Sequence, residues 1–111
     1  MNVAIEEHDH IVTLTLQEER LDAHNSSELK AQLLNLFEDG KVNIVIDLSP
    51  VRFIDSSGLG ALVSGFKNAS SREGGLKLCG LQSQVKSMFE LTRLHRVFEI
   101  FPGTEEAIAS F

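Results

Sequence analysis

The chain has 111 residues, 42% of them apolar, and carries 10 basic against 16 acidic residues for a formal net charge of −6. That length fits one domain, expected to span residues 1–111, and a chain of this size buries roughly 60–70% of its unfolded surface without a disulfide staple. The acidic balance argues against a nucleic-acid module or an anionic membrane surface, both of which need a basic face; a basic patch on a protein partner suits it better.

The single cysteine, Cys79, excludes an intrachain disulfide and makes a reducing cytoplasm the expected compartment. Residues 1–10 hold three acidic residues and no Lys or Arg, so they do not read as a signal peptide. The longest nearly apolar run, Leu59 to Phe66, is eight residues, well short of the about 20 that span a bilayer. A soluble protein without an anchor is expected.

In chain order, Val3 and Ile5 alternate with polar neighbours, as do Val12, Leu14 and Leu16, which predicts two strands joined by a hairpin turn at His8-Asp9-His10. Leu21 to His24 reads as a loop. Asn25 with Glu28 three residues on resembles a capping box, and Leu29, Leu33, Leu36 and Phe37 recur at helical spacing before the stop at Asp39-Gly40. Val42 to Leu48 is a near-continuous apolar run of strand length, as expected of a strand buried on both faces.

A loop from Ser49 to Ile54 leads through Asp55-Ser56-Ser57-Gly58 into a second helical stripe of Leu59, Leu62, Val63 and Phe66. Glu73-Gly74-Gly75 is a turn, Leu76 to Cys79 a short strand, and Ser83 to Leu91 a helix with Val85, Met88 and Phe89 inward. Val97 to Phe101 reads as an optional edge strand. Thr104 is expected to cap a last helix that turns Ala107, Ile108 and Phe111 inward.

The order β-β-α-β-α-β-α-(β)-α predicts an α/β fold: a mixed, mostly parallel sheet of four to five strands with about four helices. Sites in such sheets lie beyond the carboxyl ends of the parallel strands, which here selects the loops Leu21 to Asn25 and Phe53 to Gly60.

Asp55-Ser56-Ser57-Gly58-Leu59-Gly60 places two hydroxyls at a helix start, where free N–H groups and the helix dipole favour an anion, bound or covalent. Gly58 and Gly60 are expected to clear room for an approaching protein. An ordinary N-cap, with small residues that allow helix–sheet contact, accounts for the same residues. Catalytic motifs fail in detail: Asp55 stands where a nucleophile elbow needs Gly, and Phe66 stands where a phosphate loop needs Lys, with Lys67 one place late. Gly58-Leu59-Gly60 lacks the third glycine of a dinucleotide fingerprint, because Val63 is there.

His8 and His10 read as a solvated hairpin tip, Cys79 as a small core residue, and Glu18, Glu19, Glu105 and Glu106 as solvated surface. No ligand cluster for a metal or an organic cofactor is evident, and no carboxylate pair demands acid–base catalysis.

Ile54-Asp55-Ser56-Ser57-Gly58-Leu59-Gly60, preceded by Ile44-Val45-Ile46-Asp47-Leu48 and by Leu21-Asp22-Ala23-His24-Asn25, and followed by Gly74-Gly75 and Leu76-Lys77-Leu78, resembles the STAS-domain anti-sigma-factor antagonists of bacteria over nearly the whole chain. One departure is Arg20, where that family often has Gly before the Leu-Asp loop.

The resemblance implies a non-enzymatic switch in transcription regulation. The unphosphorylated protein, a monomer when free, would bind an anti-sigma factor that is also a serine kinase and so release the sigma factor. Phosphorylation of Ser56, with Ser57 the second choice, would end binding, and a PP2C-type phosphatase would restore it. Asp22, Ala23, His24, Asn25, Asp55, Ser56, Ser57, Gly58, Leu59 and Gly60 would meet the partner. Other readings are a STAS module of another signalling or transport assembly, a small enzyme using Ser56 or Ser57 as nucleophile, and a receiver-like domain phosphorylated at Asp47.

Overall fold

In a computed structural model describing residues 1–111, five strands form one sheet in the order β1 (Val3–His8), β2 (Ile11–Leu16), β4 (Asn43–Asp47), β6 (Gly75–Cys79), β7 (Ile100–Phe101). β1 is antiparallel to β2, and every other pair is parallel. β4 is central: Ile44, Val45 and Ile46 are all fully buried, as their unbroken apolar run demands.

The register alternates strictly. Val12, Leu14, Leu16, Ile44, Ile46, Leu76 and Leu78 face one side, where they join Leu29, Leu33 and Phe37 of α1 (Ser26–Glu38), Leu59 and Leu62 of α2 (Ser56–Ser71), and Val85 and Phe89 of α3 (Ser83–Leu91) in the main core. The opposite face is covered over Val45 and Cys79 by Ala107 of α4 (Thr104–Ala109), with Phe101, Ile108 and Phe111 around them. Lys77 ties α4 down: its Nζ donates to the Ser110 carbonyl at 2.9 Å and pairs with Glu99 at 2.9 Å. No helix is long and apolar enough to cross a membrane.

The α/β class, the mixed sheet, the four helices and the buried Cys79 agree with the sequence. Four local expectations change. Two short parallel strands, β3 (Arg20–Leu21) and β5 (Phe53–Ile54), pair where loops were expected; two residues are too few to show a period. Asn25 stands at the N-cap of α1 but does not cap it. Its Oδ1 accepts the Asp22 N–H at 2.9 Å, its Nδ2 donates to the Arg20 carbonyl at 2.8 Å, and Glu28 pairs instead with the Met1 amine.

Gly103, not Thr104, occupies the cap of α4. The last strand is only Ile100–Phe101, because Leu94–Arg96 forms a 3-10 turn and Phe98 turns into the core, edge-on to Phe66 at 5.3 Å and to Phe89 at 5.7 Å.

Candidate functional site

The two loops selected from the sequence meet beyond the carboxyl ends of β2 and β4, joined by the β3–β5 ribbon. Arg20 pairs with Phe53 and Leu21 with Ile54, and the Leu21 carbonyl accepts the Asp55 N–H at 3.3 Å. Asp55 is the hinge of the arrangement. Its backbone is extended at the N-cap of α2; Oδ1 accepts the Gly58 N–H at 2.9 Å, and Oδ2 accepts the Ala23 N–H from the other loop at 3.2 Å. One carboxylate therefore caps the helix and fixes the neighbouring loop.

The loop before α1 is built around Asp22, which is buried. Its carboxylate accepts the His24 N–H at 3.0 Å and the Arg20 Nε–H at 3.1 Å, while its carbonyl accepts the N–H groups of Asn25 and Ser26. The His24 N–H, and after it the Arg20 guanidinium, hold the Asp22 carboxyl below the ordinary value of 3.8. His24 extends outward, its Nδ1 3.5 Å from Asp22 Oδ1.

Arg20 settles the conformation of this loop, because its backbone belongs to β3 and its guanidinium lies 4.2 Å from the centroid of the exposed Phe53 ring. This pair rims the site and was not read from the sequence. Its only trace there was the departure at Arg20; the stack needs the β3–β5 pairing, which two-residue strands do not announce.

Ser56 and Ser57 are the first two residues of α2, both exposed, and neither hydroxyl is engaged in a hydrogen bond within the chain. Their backbone N–H groups lie in the first turn, where helix N–H groups have no carbonyl one turn back. Of the other residues expected at the partner surface, Ala23, His24 and Gly60 are exposed, Asn25 and Asp55 half-buried, and Asp22, Gly58 and Leu59 buried.

For Gly58 the structure favours helix–sheet contact over room for a partner. A Cβ there would lie 2.4 Å from the Leu21 carbonyl oxygen and 2.8 Å from Ile54 Cγ1, so Gly58 lets α2 sit against β3 inside the protein. Gly60 has nothing within 4 Å of its Cβ direction and does face open space.

An open cleft of about 670 Å³ runs along the 17–25 segment, with Glu18, Glu19, Asp22 and His24 in its wall and no residue of the serine loop. No group of three or more His, Cys, Asp or Glu gathers there in a metal-binding arrangement. The local chemistry suits modification or contact: two free hydroxyls at a helix start, on a frame built by Asp55, Asp22 and the ribbon.

The STAS domain model matches residues 2–107. The Listeria monocytogenes protein named anti-sigma-B factor antagonist is 34% identical over 104 residues, covering 90% of each chain. The crystal structure of a candidate anti-sigma factor antagonist from Thermotoga maritima superposes with a TM-score of 0.88 at 27% identity, covering 97% of this chain and 92% of that one. The phosphorylated form of the Bacillus cell fate determinant SpoIIAA shares the fold, with a TM-score of 0.76 at 21% identity over 98% of both chains. The chain belongs to the STAS domain family.

Proposed function

We propose that the chain is an anti-sigma-factor antagonist acting as one STAS domain in the cytoplasm. Its unphosphorylated form binds an anti-sigma factor with serine kinase activity and frees the sigma factor. Phosphorylation of Ser56 ends the interaction, and a PP2C-type phosphatase reverses it. The observation that carries this reading is the state of Ser56: exposed, at the first position of a 16-residue helix, with a hydroxyl that no intramolecular hydrogen bond occupies. The name of the Listeria relative supports the same class of partner.

The chemistry is a phosphoryl transfer. The Ser56 Oγ forms a bond to the γ-phosphorus of ATP, the bond to ADP breaks, and the hydroxyl proton passes to a base on the kinase. The product carries about −1.5 to −2 charges at the positive end of α2, where the dipole stabilises it. The fold survives because the cap is Asp55 and the loop is held by Asp22, neither of which uses Ser56. A partner face matched to the bare hydroxyl and to the open space at Gly60 meets bulk and charge instead. A loss of about 3 kcal/mol lowers affinity more than 100-fold. The proposed contact surface is Ala23, His24, Asn25, Ser56, Ser57 and Gly60, with Asp22, Asp55, Gly58 and Leu59 holding it in shape.

Co-purification from the cell of origin, followed by mass spectrometry of partners and phosphopeptides, tests this. The expected result is a kinase-type anti-sigma factor together with phosphate on the peptide bearing Ser56. A phosphate on Asp47, or a stable partner of another kind with Ser56 never modified, would overturn it.

A further inference from the structure

Phe53 is the only one of the chain's seven phenylalanines that is exposed, at 42%. It belongs to the outward face of the β3–β5 ribbon. Arg20 and Phe53, paired in register, are both exposed, whereas Leu21 and Ile54, the next pair, are both buried.

The ring is held in place by its neighbours. The N–H groups of Arg52 and Phe53 both donate to the Glu19 carbonyl, at 2.7 and 3.2 Å. The Arg20 guanidinium lies 4.2 Å from the ring centroid, and its Nε–H donates to Asp22 Oδ2 at 3.1 Å, which fixes the guanidinium in turn. The two terminal nitrogens of Arg20 make no hydrogen bond within the chain.

Direct contacts tie this pair to the loops around the serines. Arg20 touches Asp22, and the Asp22 carboxylate accepts the His24 N–H at 3.0 Å. Asp55, two residues after Phe53 and still in extended backbone, accepts the Ala23 N–H at 3.2 Å. Residues 53 and 56 are three steps apart, so their Cα atoms lie within about 11 Å of each other. A standard interface covers about 800 Å² on each partner, a disc of about 16 Å radius, so a partner centred on Ser56 reaches Phe53.

Resting on the function proposed above, we infer that Phe53, backed by Arg20, anchors the anti-sigma kinase. An apolar side chain of the kinase packs on the ring, and a backbone carbonyl accepts from the free Arg20 nitrogens. Aromatic residues and arginine are the types that concentrate binding energy in an interface, and side chains already held lose little freedom on binding. Asp22 balances the Arg20 charge, so the free N–H groups suit a neutral acceptor. Glu18 and Glu19 stand in the same wall as Arg20 and repel a phosphate backbone or an anionic membrane, which leaves a protein as the occupant.

The test is calorimetric titration of the kinase-type anti-sigma factor that co-purifies with the chain, together with the kinetics of Ser56 phosphorylation by that kinase. Phe53→Ala should bind about 30-fold more weakly or worse. Phe53→Leu keeps apolar bulk, and Arg20→Lys keeps the charge without the planar stack, so both should fall between parent and Phe53→Ala. In the kinetic assay KM rises and kcat stays, because the ring meets the kinase and not the transferred phosphoryl group. Circular dichroism confirms that each variant is folded; should Phe53→Ala not fold, Phe53→Leu decides. A fall in kcat at unchanged KM would mean that the ring only positions Ser56, and would overturn the anchor. Phe53→Ala binding within about threefold of the parent, with phosphate on Ser56 still weakening binding, would overturn the anchor and leave the proposed function standing. No binding of the unmodified parent would overturn both.

Discussion

Gly58→Ala probes the junction that positions the serines. The added methyl would sit 2.4 Å from the Leu21 carbonyl oxygen, 3.0 Å from its carbon and 2.8 Å from Ile54 Cγ1. The nearest atom is backbone, and that carbonyl already accepts the Asp55 N–H, so neither side yields cheaply. Overpacking of this kind costs about 1–3 kcal/mol, and a contact this short with backbone belongs at the upper end. Replacing Gly by Ala in a helix returns up to about 1 kcal/mol. The net loss is about 2 kcal/mol, which for a chain of this length lowers the melting temperature by about 8 °C. Gly60→Ala, two residues on, meets nothing within 4 Å and keeps only the helix gain, so it raises the melting temperature by about 2–4 °C. Thermal melts and urea titrations followed by circular dichroism read both variants. If Gly58→Ala matches or exceeds the parent in stability, the close approach of α2 to β3 is wrong.

Other substitutions separate the frame from the switch. Ser56→Ala removes no hydrogen bond, since Asp55 caps the helix, and should change stability by less than about 0.5 kcal/mol in urea denaturation; Asp55→Ala should cost about 0.5–2 kcal/mol in the same assay. For Asp22, the folded-state carboxyl titrates below its ordinary 3.8. Its contribution to stability is complete above that value and disappears as pH falls through the lower folded midpoint, so acid unfolding of Asp22→Asn should show a shallower pH dependence below about pH 4. Burial pushes the Cys79 thiol up to about 12, with Asp47 and Glu106 adding to it, so an aromatic disulfide reagent at pH near 8 should label the native protein only as fast as it opens. Lys77→Met should speed hydrogen exchange in α4, because the Ser110 carbonyl and Glu99 lose their common donor.

The main elements were legible because each is long enough to show a period: Leu29, Leu33 and Phe37 along α1, and the unbroken Ile44 to Ile46 run at the centre of the sheet. The Asp55-Ser56-Ser57-Gly58 segment marked the candidate site differently, as a hydroxyl pair just ahead of a helical stripe. What the sequence hid depended on partners far along the chain. Glu28 pairs with the Met1 amine, and Asn25 turns back to Arg20 and Asp22. Neither relation leaves a local pattern. Phe98 likewise had the residue type of a strand and the fate of a core plug, because Phe66 and Phe89 offer it an aromatic pocket.

As proposed, charge at Ser56 alone turns partner binding off without refolding the protein. The most direct measurement is calorimetric titration of the anti-sigma kinase with the unmodified chain and with the chain phosphorylated at Ser56, both confirmed as folded by circular dichroism. Matching spectra and an affinity lower by more than about 100-fold for the phosphorylated form are expected. Equal affinities for the two forms would contradict it.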